Sequence, residues 1–115
     1  MSIILDENST VVVQGMTGRE GSLRTKYMQD YGTKVVAGVT PGKGGSEVHG
    51  IPVYNTVREA IRAQGSIDAA VTFVPGPLLR GAVYEAIDAG IKFVCSPVDE
   101  KDLTAALYKV RQTHF

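Results

Sequence analysis

Three glycines at even intervals, Gly15, Gly18 and Gly21, lie in the run Val11-Val12-Val13-Gln14-Gly15-Met16-Thr17-Gly18-Arg19-Glu20-Gly21. An apolar, β-branched stretch leads into the glycines and a helix-compatible stretch follows. A turn of that kind brings backbone N–H groups and the positive end of a helix to one point, which suits an anion and above all a phosphate. The spacing G-x-x-G-x-x-G is close to the dinucleotide fingerprint G-x-G-x-x-G without matching it. On spacing alone, a tight strand-to-helix connection without a ligand explains the pattern equally well.

A second stretch, Thr40-Pro41-Gly42-Lys43-Gly44-Gly45-Ser46, packs three glycines and a proline into seven residues. That composition excludes regular structure and describes a loop whose backbone can approach something closely. The usual NAD site needs a carboxylate about 20 residues past the glycines to hold the ribose hydroxyls. Here that place holds Thr40-Pro41-Gly42-Lys43, with no acid. A lysine there suits a phosphate on the ribose, which NADP and coenzyme A both carry, and charge does not separate the two. By its chemistry alone Lys43 reads as a solvated loop lysine.

The remaining reactive residues read blandly. His49 is expected on a surface loop, and Cys95 as a small buried residue at a strand end. A single cysteine forms no internal disulfide and no zinc site. Glu85 and Asp88 are expected on a solvated helix exterior and not as a catalytic dyad. Pro75-Gly76-Pro77 reads first as a strand stop.

The elements that must position these loops alternate. Thr10 to Val13 reads as a buried parallel strand because its apolar residues run without alternation. A helix is expected from about Gly18 to Tyr31, with Leu23, Tyr27, Met28 and Tyr31 at helical spacing and Gly32 as a left-handed cap. Strands follow at Lys34 to Val39, Ile51 to Tyr54, Ala69 to Val74 and Phe93 to Cys95. Between them, Thr56 and Glu59 have capping-box spacing for a helix that ends near Gln64 at Gly65. Leu78 to Ala89 forms the next helix, with Leu79, Val83, Ala86 and Ile87 on one face and Gly90 as cap. Ser96-Pro97-Val98-Asp99 looks like a further helix start, with Leu103, Ala106, Leu107 and Val110 turned inward. The alternation predicts an α/β fold, a Rossmann-like doubly wound parallel sheet of about five strands in the order 3-2-1-4-5, with right-handed crossovers. In such sheets ligands bind outside the carboxyl ends of the strands, where the loops at Gly15–Gly21, Thr40–Ser46, Pro75–Pro77 and Ser96–Asp99 all fall.

Bulk properties narrow the partners. The 115 residues are expected to form one domain, 1–115, long enough to bury a core. Twelve basic residues balance twelve acidic ones, and tryptophan is absent. Neither nucleic acid nor a membrane surface is the expected partner of such a chain. No apolar run reaches the roughly 20 residues of a membrane span. The N-terminus, Met1-Ser2-Ile3-Ile4-Leu5-Asp6, lacks a signal peptide's charged start, so a cytoplasmic location is expected.

Several separate motifs, in order, resemble the amino-terminal domain of the succinyl-CoA ligase α subunit. They are Gln14-Gly15-Met16-Thr17-Gly18-x-x-Gly21, Tyr31-Gly32-Thr33-Lys34, Gly38-Val39-Thr40-Pro41-Gly42-Lys43-Gly44-Gly45, Gly50-Ile51-Pro52-Val53-Tyr54-Asn55-Thr56-Val57-Arg58-Glu59-Ala60 and Glu85-Ala86-Ile87-Asp88-Ala89-Gly90-Ile91-Lys92. The resemblance covers nearly all of residues 2 to 95. It implies a coenzyme A-binding Rossmann-like domain. By the match, Thr17, Gly18, Arg19 and Glu20, between Gly15 and Gly21, lie on the loop that contacts the CoA phosphates. Arg19 and Glu20 are not the family's commonest residues there, so backbone contacts carry over more directly than side-chain ones. Lys43 matches the lysine that binds CoA, where a fixed ammonium opposite a phosphate makes a charge-assisted bond. Pantetheine is expected to run toward Pro75–Pro77 and Pro97.

The sequence departs from that family after the last strand. A Thr-Glu-Gly-Ile-Pro type turn is replaced by Ser96-Pro97-Val98-Asp99-Glu100-Lys101. Pro97, Val98 and Asp99 stand about where CoA contacts are expected, and only Asp99 keeps acidic character. The domain that carries the family's phosphorylated histidine is not in this sequence; His49 lies in the wrong domain for that role and His114 beside the C-terminus. The expectation is therefore a CoA-binding component of an acid–thiol ligase, not catalytic alone, working with a separate ligase or nucleotide-grasp subunit. Oligomeric state is left open. The rival readings are an NADP-binding redox-sensing module and a structural or regulatory domain that binds nothing, the altered Ser96–Lys101 segment being the argument for the latter.

Overall fold

The computed structural model describes residues 8–95 of the chain. The order of elements is β1 (Thr10–Gln14), α1 (Arg19–Tyr31), β2 (Lys34–Val39), β3 (Glu47–Val48), β4 (Ile51–Tyr54), α2 (Val57–Gln64), β5 (Ala69–Thr72), α3 (Gly76–Asp88) and β6 (Phe93–Cys95). They build a six-stranded sheet in the order β3-β4-β2-β1-β5-β6. Every pairing is parallel except that of β3 with β4. The five strands expected from the sequence are present in the expected order, and β3 is the addition. It pairs with β4 across the two-residue turn His49–Gly50, both of which have positive φ, 52° and 82°. A hairpin turn of that hand requires positive φ at both central residues. A histidine in the first of them is a weak sequence signal, which is why the short strand was not expected.

Apolar strands are covered on both sides. Val11 and Val13 face one layer with Met28 of α1, whereas Val12 faces the other with Val57 and Ala60 of α2 and Ala86 of α3. This split explains why β1 reads as an unbroken apolar run. The expected packing face of α1 needs correction. Leu23, Tyr27 and Tyr31 are 43%, 49% and 42% exposed. The sheet-facing set is instead Gly21, Arg24, Thr25 and Met28, an i, i+3, i+4, i+7 stripe that includes small and polar members. A search for large apolar residues at helical spacing finds the neighbouring stripe. Small residues win the inner face because the helix lies close on its turn, as Gly21 shows below.

On α3 the expected inner residue Ala86 is buried, Leu79 and Val83 are half-buried, and Ile87 is 54% exposed, contrary to expectation. This helix also starts two residues earlier than expected: Gly76 and Pro77 form its first turn. A proline there gives up an N–H that has no partner within the helix. The caps of α1 and α2 follow the sequence. Gly32 is left-handed at φ 98°, and Thr56 Oγ1 accepts from the Glu59 N–H at 3.1 Å while Glu59 Oε1 accepts from the Asn55 N–H at 3.1 Å. The helix expected after Ser96, with Leu103, Ala106, Leu107 and Val110, lies outside the described residues. No described helix is long and apolar enough to cross a membrane.

Candidate functional site

Register sets the site. Gln14 at the end of β1 stands opposite Val39 of β2 and Thr72 of β5, so three central strands end level with one another. The chain leaves β1 through Gly15, whose N–H donates to Val39 O at 2.8 Å. Gly15 has φ +81°, and a Cβ there would stand 2.2 Å from Phe73 O. Gly21 is fixed as firmly, since its Cβ would lie 2.1 Å from Gly15 O. These two glycines are required by the packing of strand, turn and helix. Gly18 is different. Its φ is −71°, and a Cβ there would find only Gly15 O at 3.5 Å, an ordinary contact. Nothing among the described residues demands a glycine at the position that caps α1.

Gly18 offers no side-chain cap, so the first N–H groups of α1 at Arg19, Glu20 and Gly21 have no partner from that residue. They add the helix's partial positive charge to an open turn. Thr17 Oγ1 donates to Thr40 Oγ1 at 3.1 Å, which ties this turn to the loop after β2.

That loop is held from beneath by Asn55. Its Oδ1 accepts from the N–H groups of Gly42 and Gly44, both at 2.9 Å. Thr40 N–H donates to Tyr54 O at 3.0 Å, Gly45 N–H to Val53 O at 3.0 Å, and Ser46 Oγ to Lys43 O at 2.6 Å. The loop is therefore a built structure, although residues 41–46 are exposed. Lys43 sits at its crest, and its ammonium has no carboxylate partner among the described residues.

Between the two loops and α3 lies a cavity of about 520 Å³. Gly15, Thr17 and Gly18 line one part, Val39, Thr40 and Pro41 another, and Val74, Pro75, Leu78, Gly81, Ala82 and Glu85 the rest, with Gln14 at its base. Most of this wall is apolar, as suits an organic ligand, with a few polar groups to orient it. Of the residues expected from the sequence, Gly15, Thr17, Gly18 and Pro75 come together here. Gly21 is buried under the turn, and Arg19 and Glu20 are exposed on the first turn of α1, where Glu20 Oε1 pairs with Arg24 Nε at 3.2 Å. None of these three lines the cavity, nor does Lys43. Pro97, Val98 and Asp99 lie outside the described residues.

Sequence reasoning missed three residues. Buried Gln14 bridges elements: its Nε2 donates to Ala82 O at 2.8 Å and its Oε1 accepts from Thr72 Oγ1 at 2.8 Å, fastening α3 to β1 and β5. Asn55 builds the lysine loop. Glu85, expected in solvent, is half-buried, lines the cavity and accepts from the Val57 N–H at 2.8 Å, capping α2 from the neighbouring helix. No local spacing announces such contacts, which join residues 11 to 68 positions apart. Cys95 is half-buried, and burial pushes its thiol above the usual range. His49 Nε2 lies 3.2 Å from Ser22 Oγ on the surface, and His49 belongs to no cavity described above. No group of three or more metal-ligating side chains gathers among the described residues.

The parallel sheet, the glycine turn at a helix N-terminus and the adjoining apolar cavity define a Rossmann-like nucleotide-binding class of domain. Residues 6–96 match the model of the CoA binding domain, and the chain belongs to that family. It is 57% identical over 94 residues to the ADP-forming succinate–CoA ligase subunit alpha 1 of Archaeoglobus fulgidus, covering 82% of this chain and 32% of that protein. It is 50% identical over 107 residues to the ADP-forming sulfoacetate–CoA ligase subunit SauD of Bilophila wadsworthia, covering 93% of this chain and 36% of that one. The chain thus spans about a third of the length of the curated relatives it matches. It is homologous to the CoA-binding portion of ligase α subunits, as its motifs suggest. Among solved structures, RSP, a Rex-family repressor, is similar with a TM-score of 0.65 at 16% identity, covering 91% of this chain and 60% of that one. At that identity the likeness shows the fold alone.

Proposed function

We propose that this chain binds coenzyme A at the carboxyl end of its sheet, as a substrate that it holds for an acid–thiol ligase. The observation that carries the reading is Gly18. Two of the three glycines in the turn are explained by packing among the described residues, and the third is not. A residue without a side chain, lining a cavity and capping a helix with free N–H groups, leaves room for a phosphate to approach the backbone. Family membership supports reading that phosphate as part of CoA.

In this reading the diphosphate lies on the backbone of Gly15 to Gly21, including Thr17, Gly18, Arg19 and Glu20. The ammonium of Lys43, which has no carboxylate partner among the described residues, neutralises the ribose phosphate. Pro75 forms part of the apolar wall, and Pro97, Val98 and Asp99, which follow β6 in the chain, extend the site. Binding fixes the cofactor-like handle of CoA so that its thiol projects toward chemistry performed on another domain or subunit. The relatives are subunits of succinate–CoA and sulfoacetate–CoA ligases. By analogy the acid is a small carboxylate, recognised outside this domain, and the partner is a nucleotide-using ligase subunit in the cytoplasm.

Calorimetric titration tests the reading. CoA is expected to bind, dephospho-CoA roughly tenfold more weakly, and Lys43→Ala to remove that difference, as loss of one charge-assisted bond implies. Gly18→Ala is expected to lose CoA while remaining folded. Tighter binding of NADPH than of CoA, or no heat with CoA, overturns it.

A further inference from the structure

A second cavity, of about 510 Å³, opens between the lysine loop and α2. It shares no lining residue with the cavity described above. Glu59 and Arg62 line it three positions apart on α2, a spacing that sets two side chains next to each other on a helix. These unlike charges nevertheless make no ion pair with each other. The helix cap explains why. Glu59 Oε1 turns back to the Asn55 N–H at 3.1 Å, toward the start of the helix. Its Oε2 has no partner among the described residues, and neither has the Arg62 guanidinium. The neutral groups around the two charges are donors. Asn55 gives Oδ1 to the Gly42 and Gly44 N–H groups, which leaves Nδ2 without an acceptor among the described residues. Gly44 leaves that carboxamide its room, since a Cβ there would stand 2.6 Å from Nδ2. Tyr54 OH accepts from Gln64 Nε2 at 3.0 Å and keeps its own proton to donate. The Tyr54 ring and the Ala63 methyl supply apolar wall.

An inorganic anion in this cavity meets the Glu59 carboxylate, and a simple cation meets the Arg62 guanidinium. A ligand that carries both charges a few bonds apart satisfies both groups. We propose that this cavity binds a free α-amino acid with an apolar side chain. The carboxylate accepts from the Arg62 guanidinium, Asn55 Nδ2 and the Tyr54 hydroxyl. The ammonium donates to Glu59 Oε2, and the side chain lies on the Tyr54 ring and Ala63. A few orienting polar groups beside an apolar wall are the usual make-up of a small-molecule site. The proposal does not rest on the CoA reading, because the two cavities have separate walls.

The experiment follows amide chemical shifts of the isotopically labelled full chain during titration with L-leucine. Two analogues are titrated in parallel: 4-methylpentanoate, which lacks the ammonium, and 3-methylbutylamine, which lacks the carboxylate. Leucine should give saturable shifts at Gly44, Asn55 and Arg62, and each analogue should bind at least roughly tenfold more weakly, as loss of one charged hydrogen bond implies. Glu59→Gln keeps the cap, since glutamine serves in a capping box as glutamate does, and thermal midpoints report whether each variant stays folded. That variant should weaken leucine roughly tenfold and leave 4-methylpentanoate unchanged or tighter, whereas Arg62→Gln should weaken both. Saturating CoA should leave the leucine shifts in place. Shifts that do not saturate, equal affinity for leucine and 4-methylpentanoate, unaltered leucine affinity in both variants, or displacement of leucine by CoA overturns the proposal. None of these results bears on whether CoA binds at the other cavity.

Discussion

At the scale of single residues, the three glycines of the first turn separate folding from binding. Gly15→Ala and Gly21→Ala each drive a Cβ to about 2 Å from a backbone oxygen. Neither contact can be relieved by a side-chain rotation, and Gly15 carries positive φ in addition. Each substitution should lower unfolding free energy by about 2–4 kcal/mol in urea titration. Gly18→Ala should cost no more than about 1 kcal/mol, since it removes only a favoured cap residue, while its CoA affinity collapses. A sequence shows all three glycines alike. What distinguishes them is the position of Phe73 O and Gly15 O, set by strand pairing across more than fifty residues for the first and by helix docking for the second. Cys95 makes a separate residue-scale case. Burial raises its thiol, so the proton is held more tightly in the folded chain than in the unfolded one. The sign is that this group's contribution to stability is full below the unfolded thiol's range and is lost as pH rises through the folded one. Iodoacetamide at mildly alkaline pH should therefore alkylate Cys95 more slowly in the folded chain than in urea; equal rates would show an open thiol.

At the scale of elements, the loops are legible and their fastenings are not. Thr40–Ser46 announces itself by glycine and proline, yet Asn55, which accepts from Gly42 and Gly44, sits on the far side of β4. Asn55→Ala should speed hydrogen exchange at the Gly42 and Gly44 amides and shrink the difference between CoA and dephospho-CoA, because Lys43 loses its fixed crest. Unchanged exchange at both amides would show that the strands alone hold the loop. The helix ends are legible for the opposite reason: capping is local chemistry, and the Thr56–Glu59 spacing is realised as a hydrogen bond of 3.1 Å. The face of α1 was not legible because its inner stripe of Gly21, Arg24, Thr25 and Met28 contains one large apolar residue only. Helix α3 shows how polar contacts can seat an element whose buried apolar stripe is thin, with Ala86 as its one fully buried residue. Gln14→Leu strands the Thr72 hydroxyl and loses the tie to Ala82. It should cost about 1–3 kcal/mol by thermal or urea unfolding and weaken CoA through the displaced wall; a variant as stable as wild type would show that α3 does not depend on the tie.

At the scale of the whole molecule, strand order decides where function falls. The parallel strands β4, β2, β1, β5 and β6 send their carboxyl ends to one edge, and the special loops at Gly15–Gly21, Thr40–Ser46 and Pro75–Pro77 gather there because of that order. Periodicity and glycine punctuation suffice for this much, since each strand–helix alternation constrains the next. The β3 hairpin, the acid on α3 and the carboxamide under the cavity depend on contacts that form only once the sheet is closed. The most direct measurement of the central claim is an amide chemical-shift map of the isotopically labelled chain titrated with CoA. Binding at this edge predicts the largest shifts at Gly15, Thr17, Gly18, Gly42, Lys43 and Gly81, with the His49–Gly50 hairpin turn unmoved. Shifts centred on that turn or on the outer face of α1, or an unchanged spectrum at saturating CoA, would contradict it.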